Sequence, residues 1–176
     1  MPIRTLREAI KNWWDGWANG YGGDCGTQNR EMFSPKIFEQ FFEPCYKTQC
    51  KWIHENTTWK TAKHCCGSIP KLIEPMIRAG IDVLNPVQTS VTGMDPQRLK
   101  YTFEDRITFW GGGVDTQRIL PFGTPEEVYQ HVAERTKILM PGGGFNWNPI
   151  HNIQYNVPPE NVAAAIQSVQ DRGCYT

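Results

Sequence analysis

The strongest constraint on this chain is an alternation: short apolar runs are followed, one after another, by segments that open with helix-start chemistry. Ser34-Pro35, Asp95-Pro96, Thr124-Pro125-Glu126-Glu127 and Pro158-Pro159-Glu160 each put a capping side chain or a proline where a helix begins. A side-chain oxygen at the cap satisfies a free amide, and proline at the first helical position loses no hydrogen bond. Thr124 to Glu127 has the form of a capping box. The strand-like runs are Gly16 to Gly23, Lys60 to Cys66, Asp82 to Pro86, Ile107 to Gly112 and Phe145 to Ile150. Between them the pattern predicts a first helix over Thr5 to Trp14 and a second from Ser34, with Ile37, Phe38, Phe41, Phe42, Tyr46 and Ile53 on its apolar face and a kink at Pro44. A third runs from Ser68 to Arg78 and is closed by Gly80, and the last shows Val162, Ile166 and Val169 on one face.

Strands alternating with helices imply parallel pairing and an α/β fold. A complete eight-unit barrel takes about 250 residues, or about 31 per unit. A chain of 176 residues therefore holds between about five and six such units. The expectation is a single domain over residues 1–176 of about five parallel units, either an open, doubly wound sheet or a partial TIM (β/α) barrel whose remaining strands come from elsewhere. That barrel is completed by oligomerisation or a partner, or left as an open sheet.

With 39% hydrophobic and 20% charged residues the chain reads as globular. Eighteen basic residues balance eighteen acidic ones, so no overall field recruits nucleic acid or an anionic membrane. No apolar run approaches the roughly 20 residues of a membrane span, and the N-terminus lacks signal-peptide character, which points to a cytoplasmic location. Cysteines 25, 45, 50, 65, 66 and 174 form no even framework and two are adjacent, which suits thiols or a metal better than a disulfide scaffold.

Chemistry concentrates at the ends of two strands, TAKHCC and FNWNPIHN. In a parallel barrel both ends point into one mouth, where His64, Cys66 and His151 supply three zinc ligands and leave a fourth position open. Strand alternation puts 64 and 66 on one face and 65 on the other. The competing reading has Cys65 and Cys66 filling the interior, with His64 bonded to a backbone carbonyl. Asp24 and Asp115 follow strands and glycines, as catalytic carboxylates or as loop caps. Asn85, Gln88, Gln117 and Asn152 are amides for substrate binding, or turn residues. His54 and His131 read as solvated helix-surface residues. The Gly111–Gly113 and Gly142–Gly144 triplets match no phosphate-binding fingerprint and read as relief of crowding.

Four blocks resemble a known family. YGGDCGTQ with FSPKIFEQFFEPCYK, GIDVLNPVQTSVTGMDPQRLK, DRITFWGGGVDTQRIL, and FNWNPIHNIQYNVPPENV are similar to the C-terminal five-eighths of the superfamily of uroporphyrinogen decarboxylases and methylcobalamin:coenzyme M methyltransferases. The resemblance implies a TIM barrel, a ligand-facing carboxylate at Asp24 and a functional histidine at His151. In the methyltransferase branch an HxC pair and a later cysteine hold zinc; here HxC is His64-Cys65-Cys66 and His151 stands at the later position. Nothing matches the decarboxylases' arginine-rich N-terminal motif. The resemblance therefore implies zinc-assisted methyl transfer between a corrinoid, free or on a corrinoid protein, and a thiol-type acceptor. Its alternatives are cofactor-independent tetrapyrrole decarboxylation and a non-catalytic tetrapyrrole- or corrinoid-binding or truncated subunit.

Overall fold

Parallel pairing in chain order is what the strand–helix alternation demands. The computed structural model, which describes residues 19–103 and 105–173, has that arrangement. β1 (Asn19–Tyr21), β2 (Thr61–His64), β3 (Val83–Asn85), β4 (Thr108–Trp110) and β5 (Phe145–Asn146) form one five-stranded sheet in the order β1-β2-β3-β4-β5. Every neighbouring pair is parallel. A sheet that runs in sequence order, with no reversal of direction along it, is the wall of a barrel rather than a doubly wound sheet. The fold is α/β, a partial (β/α) barrel. The helix expected at Thr5 to Trp14, the start of the first strand segment and Cys174 lie outside the described residues.

Register decides what each face carries. Lys63, Leu84, Phe109 and Phe145 are partners across successive strands, so they line up on one face, and all four are buried. The other face carries the cross-strand pairs His64 with Asn85 and Trp110 with Asn146, which are exposed or half-buried. Helices cover the first face. Its core draws Phe38 and Cys50, Ile73 and Met76, Leu99 and Phe103, and Leu139 from four of the helices.

The first helical run spans residues 35–56. It opens as an α-turn, Pro35–Ile37, with the Ile37 amide donating to Ser34 Oγ at 3.3 Å, passes through a π-turn, Phe38–Phe42, and continues as an α-helix, Glu43–Asn56. The kink expected at Pro44 is replaced by that wider turn. Proline supplies no amide, and the Glu43 amide reaches back five residues to Phe38 O. We name this run α1, followed by α2 (Ile73–Arg78), α3 (Pro96–Phe103), α4 (Ile119–Phe122), α5 (Pro125–Leu139) and α6 (Pro159–Arg172).

Sequence expectations and structure part at several places. α2 begins later than Ser68, because that hydroxyl donates to Thr92 O at 2.6 Å instead of capping a helix. α4 is a short helix that no sequence signal announced. The capping box of α5 is formed in full. β5 ends at Asn146 rather than Ile150; beyond it the chain keeps only separate bonds, Gly113 N–H to Asn148 O and Ile150 N–H to Val114 O. On α6 the buried residues are Asn161, Ala165 and Ser168, while Ile166 is 48% exposed. Small residues let α6 approach α5 closely, with Ser168 Oγ donating to Tyr129 O at 2.8 Å. Asn161 donates its amide to Leu120 O and Gly123 O.

One close approach positions everything described next. The loop after β1 and the loop after β2 touch at Gly26 and Gly67, where a Cβ on Gly67 would lie 2.5 Å from Gly26 backbone atoms. Gly67 also has φ +93°, a conformation that L side chains rarely adopt. Next to it the Ser68 amide donates to Thr27 O at 2.7 Å. Replacing Gly67 with alanine combines a clash with backbone strain, so Gly67→Ala should lower unfolding free energy by about 1–3 kcal/mol in a urea melt. A melt that matches the unmodified protein would contradict this role for the contact.

Candidate metal centre at the carboxyl ends of β1, β2 and β3

Three side chains with metal-ligating atoms meet on the open rim. Asp24 lies just past β1, His64 is the last residue of β2, and Cys66 follows two residues later. Their ligand atoms all lie within 4.8 Å of one another. Cys66 Sγ is 3.7 Å from His64 Nε2, and the Cys66 amide donates to Asp24 Oδ1 at 2.8 Å. Asp24 and His64 are exposed and Cys66 is half-buried.

Each ligand is placed by the local sequence. β2 stops at His64, so the chain turns and brings Cys66 back over the same rim. Cys65 points the other way into the core, 1% exposed, and its Sγ accepts the Cys25 amide at 3.1 Å. His64 Nδ1 is 3.0 Å from Oδ1 of Asn85, its register partner on β3. The Asn85 amide group in turn donates to Trp110 O at 3.1 Å. Behind the loops, Gln88 is 5% exposed and accepts the Gly67 amide at 2.8 Å while donating to Gln28 Oε1 at 3.1 Å. It ties three rim loops together.

Beneath the rim lies a lysine that sequence reasoning missed. Lys63 is 1% exposed, and its ammonium donates to His64 O at 3.0 Å and to Gly23 O. Its position between Ala62 and His64 on a four-residue strand is the signal that alternation offered: it had to face opposite His64. Cys25 was also missed. A hydrogen bond from Cys65, aided by the Lys63 ammonium, pulls its thiol down to about 7. The same bond and burial push Cys65 up.

Cys66 behaves differently. Desolvation first, then the Asp24 carboxylate, push its thiol up to about 11. Unaided, it stays protonated at neutral pH. A divalent cation would relieve both costs by converting the thiol to thiolate beside a carboxylate that now faces positive charge. The geometry fits such an ion. Zinc–nitrogen and zinc–sulfur bonds of ordinary length at a tetrahedral angle hold the two ligand atoms about 3.6 Å apart, against the 3.7 Å between Nε2 and Sγ. One imidazole, one thiolate and one carboxylate with a position left over is the donor pattern of a catalytic zinc site.

The other sequence-derived residues lie elsewhere. His151 is exposed on a bend after β5 and is not in the group; Asp24 stands with His64 and Cys66 in its stead. Asp115 is 7% exposed and its Oδ1 accepts the Gln117 and Arg118 amides at 2.8 and 3.2 Å, closing a loop. Gln117 and Asn152 are exposed. His54 does not stand free in solvent but meets Asp82 Oδ2 at 2.7 Å. His131 Nε2 accepts the Asp115 amide at 3.4 Å, and burial, with Arg135 nearby, lowers its pKa.

The Asp24 effect on Cys66 has a definite sign. Removing the carboxylate charge makes the thiol easier to ionise, so in metal-free protein Asp24→Asn should speed alkylation of Cys66 several-fold at mildly alkaline pH. The exposed Cys45 serves as the internal reference, read by mass spectrometry of the labelled peptides. An unchanged or slower Cys66 rate would contradict the coupling.

Comparison with known proteins agrees with this architecture. The sequence model described as uroporphyrinogen decarboxylase (URO-D) matches residues 24–172. Among solved structures the chain is similar to a methyltransferase from Methanosarcina mazei, with a TM-score of 0.64 and 19% sequence identity. The likeness covers 89% of this chain and 43% of that one, so the chain spans under half the length of that methyltransferase. No curated protein sequence matches. The family match runs through Asp24, His64, Cys66 and Asn85 and takes in all but the ends of the chain: it belongs to the uroporphyrinogen decarboxylase family.

Proposed function

We propose that this chain carries the metal site of a methyl-transfer reaction, with Asp24, His64 and Cys66 holding zinc and a thiol-type acceptor taking the open position. The observation that carries the reading is the 3.7 Å approach of Cys66 Sγ to His64 Nε2, with Asp24 in the same group. When bound, the ion supplies Lewis acidity that keeps an acceptor thiolate available near neutral pH.

The remaining tasks fall to the chain. Cys66 and Asp24 offset the charge of the ion, and His64 contributes a neutral ligand. Because Asp24 and His64 are exposed, the proton released by the acceptor has a direct path to water. The acceptor sulfur's lone pair then forms the C–S bond to a methyl group delivered by a corrinoid. The carbon–cobalt bond breaks and its electron pair stays on cobalt, which goes from Co(III) to Co(I). The grouping of His64 and Cys66 with Asp24, and the likeness to a methyltransferase, support this direction over tetrapyrrole decarboxylation.

The partial barrel bears on the partner. Among the described residues β1 and β5 are the outer strands of the sheet. Beside the β1 side, α1 and the loop before it leave Met32, Ile37, Phe41 and Phe42 between 38% and 62% exposed. Outer strands of a parallel sheet and several large exposed apolar side chains favour coverage by further polypeptide. We place that coverage in a second copy or a complementing chain, which would close the mouth over the corrinoid.

Two measurements test these readings. Purified protein should bind one zinc per chain, and His64→Ala or Cys66→Ala should each weaken binding beyond the roughly 10–100-fold cost of losing an outer-shell hydrogen bond. Zinc-loaded protein should then demethylate methylcobalamin in the presence of a thiol. Protein that takes up no zinc would overturn the proposal. Light scattering on a sizing column should give a mass above 20.2 kDa; a compact particle of that mass would rule out the assembly.

A further inference from the structure

His64 has two ring nitrogens, and a neutral imidazole carries its proton on only one. Which one decides whether Nε2 can face a metal or a thiol. Asn85 settles this through a chain of bonds with one consistent assignment. Trp110 O is a carbonyl and can only accept, so the atom of Asn85 that lies 3.1 Å from it must be the NH₂ group. The amide oxygen is then the atom 3.0 Å from His64 Nδ1. An oxygen that only accepts requires a donor, so Nδ1 carries the proton. Nε2 is left with its lone pair directed toward Cys66 Sγ, 3.7 Å away.

We propose that Asn85 is the positioning residue of this site, locking His64 as the Nδ1–H tautomer and presenting Nε2 as a ligand. His64 needs such a lock, because it is exposed and ends its strand, and packing does little to hold its ring. Asn85 can supply one, because it is half-buried, sits in register with His64 and is itself held by β4 through Trp110. An amide also suits the charge balance. Asp24 and a Cys66 thiolate already match a divalent cation, and a carboxylate at 85 would add a third negative charge and face Trp110 O with no proton to offer. The consequence for metal affinity rests on the zinc reading above. The tautomer assignment stands independently of it.

The test separates the two. In metal-free protein carrying ¹⁵N-labelled histidine, at about pH 8 where an ordinary imidazole is neutral, long-range ¹H–¹⁵N spectra report which nitrogen is protonated; His64→Gln identifies the signal. The unmodified protein should show the Nδ1–H form. Asn85→Leu, close in shape but with no acceptor, should lose that preference and weaken zinc binding by about 10–100-fold in a competition assay with a chromophoric chelator. Asn85→Asp, which keeps an acceptor, should retain the Nδ1–H form and bind zinc far better than Asn85→Leu. An Nε2–H form in the unmodified protein would overturn the proposal, as would an Asn85→Leu variant with unchanged tautomer and affinity. If Asn85→Leu fails to fold, the unmodified and Asn85→Asp spectra still decide. A protein that shows Nδ1–H but takes up no zinc would sink the metal reading and leave Asn85's control of the ring standing.

Discussion

The parallel register of β1, β2 and β3 is the constraint from which the rest of the site follows. Because these strands run the same way, their carboxyl ends lie side by side, and a residue three positions past one strand can meet the last residue of the next. The two bare backbones at Gly26 and Gly67 close the remaining distance. With a side chain at either glycine, Asp24 could not sit against the Cys66 amide. Lys63 reinforces the same junction from below by holding carbonyls at the ends of both strands.

Electrostatics then explains why this junction is a place for a cation. The rim concentrates a carboxylate, a thiol held in its protonated form and an imidazole, while the nearest buried cation faces away. Lys63 belongs to the opposite face of β2, so its ammonium favours ionisation of Cys25 and leaves Cys66 uncompensated. The two thiols thus have opposite characters, one lowered on the core side and one raised on the rim. The rim thiol needs an ion to become a ligand, and the atoms around it are spaced for one.

Much of this was legible in the sequence. Alternation of strand runs with capped starts gave the α/β class, the parallel sheet and five units, and the capping box at Thr124 formed as written. HxC spacing placed His64 and Cys66 on one face with Cys65 turned inward. What stayed hidden depends on where the backbone goes after a strand ends. His151 read as a third ligand because FNWNPIHN read as strand throughout; β5 stops at Asn146, and His151 lies on the bend beyond it, outside the group that Asp24, His64 and Cys66 form. Asp24 was singled out as a carboxylate, but not as a companion of Cys66, since no one-dimensional signal reports that Gly26 and Gly67 touch. Asn85 and Gln88 were both named as substrate amides. The structure spends one on a histidine and the other on a loop amide, because cross-strand neighbours cannot be read from either local segment. Ile166 fitted a helical period, but Ala165 and Ser168 face the core because small residues pack closest.

The central claim is that side chains from the ends of two neighbouring strands, Asp24 after β1 and His64 and Cys66 at the end of β2, form one coordination sphere in a uroporphyrinogen decarboxylase family chain. X-ray absorption at the zinc edge of reconstituted protein addresses it most directly. The account requires a single sulfur at about 2.3 Å with nitrogen and oxygen neighbours at about 2.0–2.2 Å, and loss of the sulfur shell in Cys66→Ser. A shell of several sulfurs, or of nitrogen and oxygen alone in the unmodified protein, would contradict it.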